Sequence, residues 1–272
     1  MVVEGAELLS AALGADAPVE SVYLAPEGRS NAVVAEAVER AFARGARVFD
    51  LAPGVMERIA DTVTPQPLLA VIGFVPAVLE DIGNCSTVLV LVDVRDPGNA
   101  GTMIRTADAA GVDAVVCCDG TVDPTNPKAI RASAGSLFHL PVVAGGEAGT
   151  VLGVLRVRGL TTVGTVVRGG VDYAAFDWNR RVAMVFGNEA SGLGDSVAGG
   201  LDAAVSIPMA GRAESLNVSV SAAVLCFEAL RRRRAGGDGR PHVAADGVPR
   251  STMPGMEAAP TVLPERNGER SP

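Results

Sequence analysis

Apolar positions along the chain come in short blocks whose length and spacing change with the element they form. Gly5–Leu13 and Asn31–Arg44 read as helices, and Val19–Leu24, Ala46–Asp50 and Leu68–Phe74 as short β-rich strands. Pro65, Pro67 and Pro76 punctuate the end of this stretch, and Asp81-Ile-Gly-Asn-Cys-Ser reads as a linker. A second unit opens at Thr87 with Thr-Val-Leu-Val-Leu-Val-Asp-Val, the unbroken apolar run of a strand buried on both faces of a parallel sheet. Alternation then continues. A helix runs through Ala110, followed by a strand at Ala114–Cys118, a helix near Pro127–Ala134, an apolar stretch at Leu140–Val143 and a helix around Ala148–Arg158. Strands follow at Thr161–Val167, Val182–Phe186 and Ala204–Ile207, and a last helix runs from about Leu216 to Arg234. Strand and helix in turn predict an α/β fold with a parallel sheet. Ala235–Pro272 is rich in Gly, Pro, Ala and Glu without apolar periodicity and is expected to be a disordered tail.

Composition narrows the class. The chain has 272 residues and no apolar run long enough to span a membrane, and its first residues lack a secretory signal, so a cytoplasmic protein is expected. Cys85, Cys117, Cys118 and Cys226 have no metal-ligand spacing and read as buried reduced thiols, with no metal expected. The net charge of −8 argues at first against a nucleic-acid partner. Its distribution changes that reading: residues 1–86 carry 12 acidic and 5 basic side chains, residues 87–234 carry 14 of each. With Lys128 the single lysine, phosphate contacts would fall mostly to arginine, whose planar fork suits them.

Three segments carry candidate chemistry. In Asp96-Pro-Gly-Asn-Ala-Gly-Thr-Met-Ile-Arg-Thr-Ala, Asn99 or a neighbour can cap the helix, Gly98 and Gly101 permit close backbone approach, and Arg105 lies on the first turns, near the carboxyl edge of the sheet where ligands gather. In Val185-Phe-Gly-Asn-Glu-Ala-Ser-Gly-Leu-Gly, a buried strand runs into a glycine-rich turn holding Asn188 and Glu189. In Val205-Ser-Ile-Pro-Met-Ala-Gly-Arg-Ala-Glu-Ser-Leu-Asn-Val-Ser-Val-Ser, a strand ends at Pro208, and Ser215 or Asn217 begins an apolar helix with small residues Ser219, Ser221, Ala222 and Ala223. Each taken alone is equally well an ordinary cap, turn or solvated helix. Neither a dinucleotide fingerprint nor a Walker loop is present, which weighs against a nucleotide-dependent oxidoreductase.

Taken together and in this order, the three segments resemble the signature motifs of the SpoU/TrmH family of RNA 2'-O-ribose methyltransferases, in the SPOUT superfamily: Asn99, Gly101 and Arg105-Thr-Ala; Phe186-Gly-Asn-Glu with Gly192-Leu; Ile207-Pro-Met with Ser215-Leu-Asn. Lys128-Ala-Ile-Arg-Ala-Ser-Ala-Gly-Ser-Leu-Phe-His-Leu-Pro is also similar. The resemblance covers residues 87–234 and implies a sheet closed by a carboxy-terminal trefoil knot, S-adenosylmethionine as cofactor, an RNA substrate and a homodimer formed through the knotted region. It implies that Thr165, Gly187, Ile207, Met209 and Leu216 hold the cofactor. Arg105, Asn99, Glu189, Ser215 and Asn217 would serve the transfer, with Arg105 either removing the ribose proton or orienting a phosphate and the 2'-OH. Lys128 and Arg131 are expected on RNA phosphates or on a solvated helix face, and Arg231–Arg234 on RNA or at the carboxyl end of their helix.

Residues 1–82 resemble the ribosomal-protein-like RNA-binding domain of many family members, joined by residues 83–86; Met1-Val-Val-Glu-Gly matches a point inside that domain, implying a trimmed or misassigned start. That domain favours ribosomal RNA, 23S in particular, as substrate. A transfer-RNA methyltransferase and a non-catalytic RNA-binding paralogue are the alternatives.

Overall fold

The computed structural model describes residues 1–60, 62–74 and 76–236, so the expected tail falls, from residue 237 onward, outside the described residues. The first elements are Val2–Glu4 (β1), Ala6–Gly14 (α1), Val19–Leu24 (β2), Ala32–Ala43 (α2), Arg47–Asp50 (β3), Met56–Ile59 (α3) and Leu68–Ile72 (β4). They form a four-stranded sheet in the order β1-β4-β2-β3, with β4 antiparallel to both neighbours and β3 parallel to β2. Asn31 caps α2 by accepting from the N–H groups of Val33 and Val34 at 3.0 and 3.3 Å.

The rest of the chain builds the larger layer: Thr87–Leu91 (β5), Pro97–Ala109 (α4), Ala114–Cys117 (β6), Pro127–Ser133 (α5), Val142–Ala144 (β7), Ala148–Val157 (α6), Thr161–Thr165 (β8), Val171–Asp172 (β9), Val182–Phe186 (β10), Asp195–Ala198 (α7), Ala203–Ser206 (β11) and Val218–Ala235 (α8). Seven strands pair in parallel throughout, in the order β7-β6-β5-β10-β8-β11-β9. Every residue of β5 and β10 is buried, which accounts for their continuous apolar sequence. From β5 the chain builds outward through β6 and β7, then returns to lay β8 and β11 on the other side. The carboxyl ends of β5, β10, β8 and β11 therefore lie side by side where the winding reverses, the usual place for a ligand in an open α/β sheet.

Residues expected to form a bare linker are anchored. Leu79–Ile82 make a 3-10 turn, Ala77 bridges Val143 beside β7, and Ile82 and Cys85 are buried against β5 and β6. One apolar core runs on from α1, α2 and β4 to β5, α4 and β10, so Met1–Gly236 forms one compact unit although it holds two sheets. All four cysteines are buried, and burial pushes the thiols of Cys117, Cys118 and Cys226 up to about 12.

Candidate functional site

Each of the three motifs leaves the carboxyl end of a strand and enters a helix or a tight loop. After β5, Asp96 rather than Asn99 caps α4, accepting from the Asn99 N–H at 2.8 Å with Pro97 in the first helical position. Asn99 is thereby left free to use its side chain. Gly101 faces α5, where a Cβ would strike the Ala129 carbonyl and the Ala132 side chain, so this glycine sets how closely the two helices approach.

After β10 the chain doubles back. Asn188 and Gly192 exchange backbone hydrogen bonds of 3.0 and 2.9 Å, and Gly192 takes a φ of 67° that glycine adopts without strain. A Cβ at Gly187 would collide with the backbone of Gly192 and Leu193, so the loop closes only over glycine. The Asn188 side chain accepts from the N–H groups of Ala190 and Ser191 and donates to the Asp93 carbonyl at 2.9 Å, tying the loop to the end of β5. After β11 the segment 207–217 leads to α8, which Asn217 caps by accepting from Ser219 N at 2.8 Å.

These caps leave polar groups that join the motifs. Because Asn217 Oδ1 accepts from Ser219, its Nδ2 must donate; it does so to Asn99 Oδ1 at 3.0 Å. Asn99 Nδ2 then donates to Glu189 Oε1 at 3.0 Å. Glu189 also accepts from the N–H groups of Asp96 and Arg95 at 3.2 and 3.4 Å. Burial raises the Glu189 carboxyl, but the hydrogen bonds from Asn99 and these backbone donors outweigh it and hold the group below the usual carboxylate range. Glu189 is thus an ionised acceptor, and the chain Asn217–Asn99–Glu189 has a single donor direction.

Beside this chain lies a cleft of about 210 Å³ that opens to solvent, floored by Thr165, Phe186, Gly187 and Val205 and flanked by Ile207, Met209, Ser215 and Leu216. All five residues expected at the cofactor line it, as do Glu189 and Ser215. Thr165 Oγ1 donates to the Val185 carbonyl at 2.8 Å, which bridges β8 to β10 under the cleft. Asn99 and Asn217 adjoin it through Glu189. The chain does not bring Arg105 there: the side chain is exposed on α4 and its guanidinium has no hydrogen bond or ion pair among the described residues. Lys128 pairs with Asp96 at 3.7 Å, while the exposed Arg131 borders a crevice between α5 and β1. Sequence reasoning passed over the lining side chains Val166, Ala190, Glu214 and Ser221; the first three adjoin Thr165, Glu189 and Ser215 in sequence, and that adjacency is the signal that could have found them.

On α8 the structure bears on readings that the sequence left open. Ser219 and Ala222, from the small-residue stretch, are buried, and α8 packs on α4 of the same chain. The arginine run is largely committed within the chain: Arg231 and Arg232 each pair with Glu228 at 2.7 Å, Arg232 also reaches the Ala174 carbonyl, and Arg233 is buried against Thr87.

A parallel α/β sheet with a cleft at the carboxyl edge, closed by a glycine loop and a capped helix, defines a ligand-binding α/β enzyme fold. Comparison with known proteins makes this specific. The profile described as the SpoU rRNA Methylase family matches residues 86–227, and that of the MRM3-like substrate binding domain matches residues 1–70. A 23S rRNA (guanosine(2553)-2'-O)-methyltransferase, RlmP, of Bacillus subtilis (strain 168) is 35% identical over 225 residues, covering 83% of this chain and 86% of the relative. The AdoMet-bound rRNA methyltransferase of Sinorhizobium meliloti superposes with a TM-score of 0.75 at 32% identity, covering 85% of this chain and 86% of its own. The SpoU methyltransferase AviRb of Streptomyces viridochromogenes, in complex with AdoMet, gives 0.77 at 30% identity, covering 87% and 91%. The chain belongs to the SpoU rRNA methylase family.

Proposed function

We propose that the protein transfers a methyl group from S-adenosylmethionine to a ribose 2'-OH of ribosomal RNA, in the cytoplasm and as a homodimer. The observation that carries this reading is the Asn217–Asn99–Glu189 chain, which joins one residue from each motif at the side of the cleft. The cleft itself suits the cofactor. Its walls are apolar at Phe186, Val205, Ile207, Leu216 and Val218 and hydroxylic at Thr165, Ser215 and Ser221, and among the described residues no lysine, arginine or histidine lines it. Such a lining favours an uncharged nucleoside joined to a cationic group over a nucleotide phosphate. Thr165, Gly187, Ile207, Met209 and Leu216 would hold the cofactor, which when bound supplies an electrophilic methyl on a sulfonium.

Most of what the chain adds is positioning. Asn99, fixed by Asn217 and Glu189, would hold the ribose, with Ser215 beside it. Arg105 would orient a phosphate next to the 2'-OH; guanidinium groups stay protonated near neutrality, so this role is preferred here to that of a base. Its unpaired, exposed state supports a group that waits for RNA. Residues 1–82 would grip the RNA, and Lys128 and Arg131 would follow its backbone. The trefoil path of the family and pairing of two copies belong to the same reading, which the exposed Val220 and Phe227 on the outer face of α8 support. Among the described residues, no helix is long and apolar enough to cross a membrane.

The test is transfer of tritiated methyl to rRNA and tRNA from a strain lacking the gene, followed by mapping of the labelled nucleotide. Label is expected in rRNA at one ribose. Arg105→Ala is expected to bind the cofactor as wild type while losing transfer. Absence of label from every RNA would leave an RNA-binding paralogue, and label confined to tRNA would replace the substrate.

A further inference from the structure

Two carboxylates line the cleft, and only one has a structural task. Glu189 is fully engaged by Asn99 and by backbone N–H groups at the start of α4. Glu214, on the segment between β11 and α8, lines the same cleft but is exposed, and its carboxylate makes no hydrogen bond or ion pair among the described residues. Its neighbour Ser215 also lines the cleft, and Asn217, three positions on, donates to Asn99. Glu214 therefore stands on the stretch that leads from the cofactor cleft to the polar chain.

Among the described residues no cationic side chain lines the cleft, which holds these two carboxylates. An S-adenosylmethionine molecule carries a sulfonium, an α-ammonium and a carboxylate, and so is net positive; the demethylated product has lost the sulfonium charge and is net neutral. Resting on the reading of the cleft given above, we propose that Glu214 is a binding residue for the positively charged methionyl end of the cofactor. An ionised carboxylate in a part-enclosed site attracts a cation more strongly than it would in bulk water. A free Glu214 also avoids having to break an internal ion pair before it can act. If the sulfonium is the charge it meets, the same residue favours the methyl donor over the spent product and so helps the product leave.

The proposal is tested by calorimetric titration of the full chain and its Glu214→Gln and Glu214→Asp variants with S-adenosylmethionine, S-adenosylhomocysteine and adenosine. Glu214→Gln keeps the shape of the side chain and removes its charge. It is expected to weaken S-adenosylmethionine roughly three- to tenfold, the range for a partly screened ion pair. Adenosine, which carries neither cationic group, should bind all three proteins alike, and Glu214→Asp should recover part of the loss. An equal loss for S-adenosylhomocysteine assigns the contact to the ammonium, and an unchanged value assigns it to the sulfonium. Unaltered S-adenosylmethionine binding by Glu214→Gln overturns the proposal, as does a matching loss of adenosine, which would make Glu214 a support for the loop. A wild-type chain that binds adenosine but not S-adenosylmethionine refutes the cofactor reading itself, and this inference with it.

Discussion

Asn99 acts at the residue scale because its neighbour Asp96 fills the capping task that either could take. Asp96 caps α4, which frees the Asn99 amide to accept from Asn217 and donate to Glu189. Glycine at position 101 makes a second contribution, letting α4 and α5 approach until a single methyl would strike backbone. Gly101→Ala is expected to destabilise the fold by about 1–3 kcal/mol, the usual cost of overpacking. Thermal unfolding should show this as a lowered midpoint; an unchanged midpoint would mean that the two helices can part without cost. The cysteines illustrate the opposite case, in which burial removes chemistry. With thiols pushed up to about 12, Cys117, Cys118 and Cys226 should resist alkylation in the folded chain at pH 8 and react only on unfolding, as mass spectrometry can follow.

Among the elements, α8 shows most clearly how a motif can mislead when read without its surroundings. Four consecutive arginines suggest a phosphate-binding end, yet Glu228, one turn earlier, accepts from two of them. The Arg231 hydrogen bond is the largest influence on that carboxyl, and with Arg232 it outweighs burial and brings the group from 4.5 to about 2. A depressed carboxyl stabilises the fold fully above its ordinary value and loses that contribution as pH falls through the folded one. The clamp should therefore be intact above pH 4.5 and vanish towards pH 2. Glu228→Gln is expected to lower stability at pH 7 and to flatten its dependence between pH 4.5 and 2, measured by urea unfolding across that window. Equal slopes for both proteins would show that the clamp adds nothing. Long or strongly apolar elements such as β5, β10, α2 and α4 were legible because periodicity and caps agree there. The strands β1 and β9 and the helices α3 and α7 were not, since two to four residues cannot show a period and depend on neighbours for their pairing. Much the same divides the site. The family resemblance pointed to Thr165, Gly187, Ile207, Met209 and Leu216, whereas Glu214 and Ser221 face the cleft only because β11 and α8 converge on it.

For the molecule as a whole, the open question is how an acidic chain holds a polyanion. The net charge is −8, and most of the excess lies in residues 1–86, which include residues 1–82, the domain expected to grip RNA. Long-range attraction therefore gives little help, and affinity must come from a few cations placed at the binding face. Arg231, Arg232 and Arg233 are held within the chain, whereas Arg105, Lys128 and Arg131 are exposed on α4 and α5, the helices beside the motif-one loop. Lys128 is partly offset by Asp96 at 3.7 Å, but a surface pair of that length is weak enough to exchange for a phosphate. Each phosphate contact releases counterions and steepens the fall of affinity with salt by about 0.7 on a double-logarithmic plot for single-stranded RNA. Wild-type binding is expected to show a shallow slope, and the Lys128→Ala, Arg131→Ala double variant a slope smaller by about 1.4. Cofactor affinity and thermal midpoint should stay as in the wild type, because neither side chain lines the cleft and the Lys128 pair is exposed. Filter binding of an rRNA fragment between low and moderate salt measures the slope. If it does not change, both side chains only cover a solvated helix face, and the RNA must be held by other groups, with Arg105, Arg168, Arg212 and Arg234 the exposed arginines next to be tested.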